Sequence, residues 1–256
     1  MKLLTALFVL SMAAAAHAGP ADDQDRPLPP PGPREKPDFF FRPPYGTLAV
    51  RGALLLPSGG SDWYDFVTDQ LTLETDDFKA PALAIDVGIA VGPRLEAVIG
   101  LEYSRSQSLS EYRRFVDNDR RPIEQATEMR QVNISGSVRV PLVPRGRSVS
   151  RLAWVPRGLV PYVGAGGGMM RYQVVQTGDF VDFVDLSVFY DEFNSEGWTP
   201  SAHVFGGADV RLVKRLFATV DVRYLWAAGD LSREWVNFDP IDLSGMRVSA
   251  GINVVF

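Results

Sequence analysis

From Gly46 onward, apolar and polar residues alternate in stretches of about ten residues, the period of a strand whose two faces meet different surroundings. The last stretch is the clearest. Met246, Val248, Ala250, Ile252, Val254 and Phe256 share one face, and Arg247, Ser249, Gly251 and Asn253 share the other. The same pattern sets Ala218, Val220, Val222, Tyr224 and Trp226 against Thr219, Asp221 and Arg223. It predicts eight strands, at 46–56, 82–91, 95–105, 129–142, 159–175, 199–212, 216–227 and 243–256. Gly92-Pro93-Arg94 and Val213-Lys214-Arg215 read as tight turns, whereas 57–81, 106–128, 176–198 and 228–242 read as long loops. Short turns at one end and long loops at the other describe an antiparallel up-and-down transmembrane β-barrel. The connection 143–158 breaks this rule, being long where a short turn is expected; its Arg145, Arg147, Arg151 and Arg157 read as a basic turn.

Alternation alone does not say which face points outward. Here the polar face carries ionised residues deep within strands: Arg51, Asp86, Glu96, Glu102, Arg139, Asp209, Arg211, Asp221, Arg223 and Arg247. Five acids and five bases suit a narrow interior that holds them as a paired, neutral network, since eight strands leave room for little but side chains. The apolar face is almost free of charge, as contact with lipid requires. Tyr45, Tyr103, Trp154, Tyr162, Tyr224, Trp226 and Phe256 fall near strand ends, where aromatic girdles meet the membrane interface. In such an interior, removing Asp221 or Arg223 is expected to lower heat resistance more than any loop substitution does.

The N-terminus adds a destination. Lys2, the apolar stretch Leu3 to Ala15 and Ala16-His17-Ala18 have the form of a secretory signal peptide, 1–18. In the segment 19–45 that follows, 9 of 27 residues are proline, and it reads as an extended periplasmic arm. Phe39, Phe40 and Phe41 at its end suit either a partner or the protein's own rim. The domain from 46 to 256 is the barrel.

Ser249-x-Gly251-x-x-Val254-x-Phe256 resembles the C-terminal signal of bacterial outer-membrane proteins, which the barrel-assembly machinery reads. Pro161-Tyr162-Val163-Gly164-Ala165-Gly166-Gly167-Gly168 resembles a segment of small OmpA-like and OmpW-like barrels. The resemblance implies a barrel in the cell outer membrane, termini in the periplasm, amid lipid and lipopolysaccharide.

Composition narrows the chemistry. With no cysteine there are no disulfides or thiolate sites, and with two histidines a zinc site has little material. A formal charge of −5 argues against nucleic acid. Loop acids such as Asp62, Asp65, Asp179 and Asp182 suit hard divalent cations, but no Asp-x-Asp-x-Asp-Gly loop occurs, and no metal or cofactor is expected. Small barrels that modify lipid A use a serine and a histidine. His203, the one histidine after the signal segment, has Phe205 where the deacylase pattern needs serine, and it lies on the inward face. The sequence therefore reads as a non-enzymatic, monomeric barrel with a structural or surface-interaction role, carried by acidic and aromatic loops. A surface or periplasmic protein is a further candidate partner, and a narrow channel for small, even hydrophobic, solutes is the alternative.

Overall fold

The computed structural model describes residues 39–256 except 118, 152, 183, 184, 234, 236 and 237. The expected signal peptide, and the arm as far as residue 38, lie outside the described residues.

Eight long strands close into one antiparallel ring: β1 (Gly46–Pro57), β2 (Ala80–Gly92), β3 (Leu95–Val116), β4 (Pro122–Pro141), β7 (Leu159–Val181), β8 (Val188–Arg211), β9 (Leu216–Gly229) and β11 (Gly245–Val255). Each is hydrogen-bonded to its neighbour in sequence order, and β11 returns to β1 through pairs such as Arg51↔Gly251. No edge strand is left in the ring, so no strand presents unpaired backbone along its length. A small hairpin of β5 (Gly146–Ser150) and β6 (Ala153–Pro156) precedes β7, and a two-residue β10 (Ile241–Asp242) pairs with β9.

The outward face is greasy over a limited height. Leu95, Ala97, Ile99, Leu101 and Tyr103 of β3 point out, and the next outward residue is Arg105. On the neighbouring strands the same boundary falls between Val132 and Arg130, Met169 and Arg171, and Trp198 and Glu196. From Leu95 to Tyr103 the strand runs ~26 Å, which at a tilt of ~40° makes a band about 20 Å tall. Tyr103, Trp198 and Trp226 are outward at its upper edge and Tyr45 and Phe256 at its lower, where their rings meet edge to face at 5.6 Å.

Strands and loops differ from the sequence expectation in a consistent direction. β3, β4, β7 and β8 run well past the greasy band, so most of 106–128 and 176–198 is strand rather than loop. There the outward face turns polar, and on β3 the buried Ser104, Ser106 and Ser110 make the inward face polar too, so the alternation fades. The segment 57–81 holds a helix, α1 (Asp62–Gln70), and a short 3-10 turn over Thr75–Phe78. The segment 143–158 is not a plain turn but holds the β5–β6 hairpin. Trp154 and Tyr162 do not belong to a girdle, since both are buried. Tyr162 shares the inward parity of the glycines at 164, 166 and 168, and a Cβ at Gly164 would overlap the Phe205 ring that fills the space.

Candidate functional site

The inward side chains fill the barrel in three tiers. Nearest the end where β1 begins and β11 finishes, Glu96 of β3 lies 1% exposed and accepts hydrogen bonds from Arg139, Arg145 and Thr47, the last at 2.5 Å. Asp209 stands 3.8 Å from Arg139 and within 3.4 Å of the Asn253 amide. Arg145 comes from the segment read as a basic turn, and reaches inward to seal this end. Beneath it Phe40 pairs with Trp154 in a backbone bridge, and the two pack with Phe217 and Val255. Lys214 and Arg215 lie over the Phe40 ring at 5.4 and 5.5 Å. Of the two readings of the Phe39–Phe41 run, Phe40 takes the rim of its own barrel.

In the middle tier, Arg51 bridges Asp86 and Asp221, and Ser249 accepts from Arg51 at 3.1 Å while donating to Asp221 at 2.8 Å. Tyr162 hydroxyl is 3.1 Å from Thr219 Oγ1. Gly251 lies against Arg51, and a Cβ there would meet the Val50 carbonyl and Arg51 Cα. Higher still, Arg247 Nε donates to Glu102 at 2.5 Å and its Nη2 to Gln131 at 3.1 Å. Ser201 hydroxyl donates to Asn133 Oδ1 at 2.8 Å. The cavity left among the central charges measures about 20 Å³, the space of one water molecule.

One of the ten charged positions departs from a paired set. Arg223 is buried directly opposite Arg247 in the β9–β11 register, and no carboxylate pairs with it among the described residues. Its guanidinium lies 5.0 Å from the centre of the Phe205 ring instead. Removing Asp221 takes away one of the two acids that hold Arg51, whereas removing Arg223 strands no acid. Arg211 is only half-buried, near the rim, with its backbone N–H on the Gly158 carbonyl. Thr47, Ser249, Gln131 and Arg145 join the network without having stood out in it from the sequence. For the first three, inward parity was the signal; nothing in the sequence aims Arg145 at Glu96.

The upper tier is apolar. Trp63, Tyr64 and Val67 of α1 point into the barrel mouth and pack with Phe78, Leu225, Ile241 and Leu243. Met129, Met170 and Tyr172 form its floor. Tyr64 hydroxyl reaches Met129 Sδ at 3.8 Å, and burial, with Asp242 adding to it, raises that phenol above its ordinary range. Arg113 ties the plug to β3 by donating to the carbonyls of Thr68 at 3.1 Å and Leu73 at 3.2 Å. Asp242 fastens the opposite side, accepting from Ser58 hydroxyl at 2.5 Å and from the N–H groups of Gly60 and Ser244 at 2.9 Å. Burial alone would raise its carboxyl, but the bonds from Ser244, Ser58 and Gly60 outweigh that and hold it below the usual carboxylate range.

His203 donates or accepts at Ser137 Oγ, 2.8 Å from Nε2, and its ring tilts against Phe205. Its Nδ1 has no hydrogen-bond partner among the described residues. Of the C-terminal residues, Ser249 and Gly251 face inward, and Val254 and Phe256 face out.

No family model and no curated protein matches this chain. Solved structures do. Neisserial surface protein A aligns over 82% of this chain and 97% of its own, at 13% identity and a TM-score of 0.43. The outer membrane protein OprG from Pseudomonas aeruginosa aligns over 83% and 97%, at 12% identity and 0.43. The outer membrane protein AlkL, solved in lipid bilayers, aligns over 90% and 97%, at 15% identity and 0.36. The chain is similar to these small outer-membrane β-barrels in fold.

Proposed function

We propose that this protein is a non-enzymatic barrel of the outer membrane, closed to solutes, that acts through the surface it presents at the far end. The observation that carries the reading is closure at three heights. Arg145 and the Phe40–Trp154 pair block the lower mouth, the Arg51 cluster fills the waist, and α1 stops the upper mouth. A charge-free outer band about 20 Å tall, edged by aromatic rings, suits the apolar belt of an outer-membrane barrel. Buried ion pairs that fill the cross-section and satisfy one another support an interior closed to hydrated ions.

The far end is built for contact. β3–β4 and β7–β8 stand above the band as paired strands, and they expose Leu109, Val116, Leu186 and Tyr190 at 60–81%. Aromatic and aliphatic residues presented on a stiff hairpin suit a protein or glycan partner. The far end faces outward from the cell if 1–18 is a cleaved export signal and the Phe256 strand is read by the assembly machinery. His203, with no hydrogen-bond partner at Nδ1 among the described residues and with Phe205 rather than serine two residues on, does not support acyl chemistry. Lipopolysaccharide is the expected neighbour rather than a substrate.

Recording from the purified full chain in planar bilayers tests closure. Silence at moderate voltage is expected; reproducible conductance steps would establish a channel in its place. Lipid A from cells with and without the protein should carry the same acyl pattern, and a change abolished by His203→Ala would restore the enzyme reading.

A further inference from the structure

The outer wall carries a feature that closure of the interior does not use. Immediately above the greasy band, Arg105 of β3 sits directly opposite Arg130 of β4 in the antiparallel register. Like charges facing one another across a pair of strands are destabilising. Arg171 of β7 joins them one step away, opposite Val132. Three guanidiniums from three adjacent strands thus crowd one outward patch. Glu128 answers two of them at once, with Arg105 Nε at 2.9 Å and Arg130 on the same Oε1. Glu196 stands on the far side, 3.1 Å from Arg171. Two carboxylates for three guanidiniums leave a positive balance, and the shared Glu128 leaves N–H donors of both partners facing outward.

Below the patch, the wall has a notch. Gly136 of β4 and Gly167 of β7 are directly paired and both point outward, with Ala202 of β8 next in the same row. Nothing stands within 4 Å of where a Cβ on Gly136 would be. Ile99 walls the row on one side. From Arg130 to Gly136 is about 20 Å of strand, and from Arg171 to Gly167 about 13 Å, at ~3.3 Å per residue. Tyr103 and Trp198 mark the height of the patch as that of the headgroups.

We propose that Arg105, Arg130 and Arg171 bind the phosphate monoester of a membrane lipid, whose acyl chain lies in the Gly136–Gly167 notch. This rests on the reading of the barrel as membrane-spanning. Guanidinium forks match phosphate oxygens in pairs, and an anion here relieves the cross-strand repulsion that Glu128 relieves only in part. The glycine notch distinguishes a lipid from free phosphate, which has no use for it.

The experiment is native mass spectrometry of the full chain released from detergent micelles doped with phosphatidic acid or phosphatidylcholine. The same preparation is first checked for heat-modifiable migration and insertion into phosphatidylcholine vesicles. Failure at that check overturns the membrane reading itself; success there followed by failure below overturns only the lipid site. Phosphatidic acid should stay bound where phosphatidylcholine is lost. The double variant Arg105→Gln with Arg130→Gln should weaken retention at least about tenfold, charge-assisted bonds being the strong ones. Gly136→Leu, which fills the notch from the lipid side, should weaken it several-fold. Equal retention of both lipids, or indifference to the double variant, overturns the proposal. Displacement by millimolar inorganic phosphate, unaffected by Gly136→Leu, would show a site for the free ion and overturn the lipid assignment.

Discussion

The two ends of the lumen are sealed by different physics. At the lower end and waist the filling is ionic, with Glu96 held by two arginines and a threonine and Arg51 held between two aspartates. At the upper end it is apolar, with Trp63, Tyr64 and Val67 packed on Leu225, Ile241 and Leu243. The upper plug is a piece of connection folded back into the mouth, and leaving it exposed to water would cost the burial of its aromatic rings. The lower ionic filling grows mostly from the strands, with Arg145 added from the connection after β4, and its attraction is offset by the desolvation of each ion. The contrast teaches that an ionic interior makes a wall sensitive to the loss of one partner, while an apolar plug makes a mouth sensitive to the loss of volume.

Breaking the ionic tier should have the largest effect. Glu96→Ala leaves Arg139 and Arg145 without their shared acid, and about 3–5 kcal/mol of stability should be lost, read as a lower midpoint of heat unfolding in detergent. If the loss is no greater than for an exposed substitution such as Glu196→Ala, the ionic tier is not what supports the wall.

Trp63→Ala sharpens the other side of the comparison. It should cost about 3 kcal/mol of local stability at the plug while leaving the barrel's unfolding midpoint nearly unchanged. Limited proteolysis should then cut within 57–79 before any strand. A global fall in the midpoint would show plug and wall to be one cooperative unit.

Acid should act on the plug through Asp242. A carboxyl held below its ordinary range contributes stability that is complete above the unfolded value and lost as pH falls through the folded one. The plug should therefore loosen below about pH 4, the ordinary carboxylate range. Proteolysis of the plug as a function of pH reads this, and Asp242→Asn should remove most of the dependence.

The smallest effect is expected at Arg223. Stacked on Phe205 and facing Arg247, it has no acid to strand, so Arg223→Met should change stability by less than about 1 kcal/mol. A loss as large as that of Glu96→Ala would mean that Arg223 carries a charge balance beyond its immediate contacts.

Some of this was legible in the chain and some was not. Strand number, strand order and the direction of each face followed from a period of two that the greasy band imposes residue by residue. The same rule misplaced strand ends, because above Tyr103 the outward residues of β3 turn polar while the inward ones are mostly serines, and the alternation disappears. It also misplaced Tyr162, whose parity with Gly164 placed it inside although its chemistry suited the interface. The α1 plug carried a helical signature, Trp63, Tyr64, Val67 and Leu71, within a connection otherwise read as acidic loop.

The sequence by itself determined which residues face in and which face out, because on a strand that choice is local and repeats at every second position. Only the tertiary structure decided who pairs with whom across the lumen. Arg51 meets Asp221 across 170 positions and Arg247 meets Glu102 across 145. Arg145 leaves its turn for Glu96, and Arg223 is left to an aromatic ring. Such partnerships depend on the stagger with which eight strands close, and no local pattern encodes that stagger.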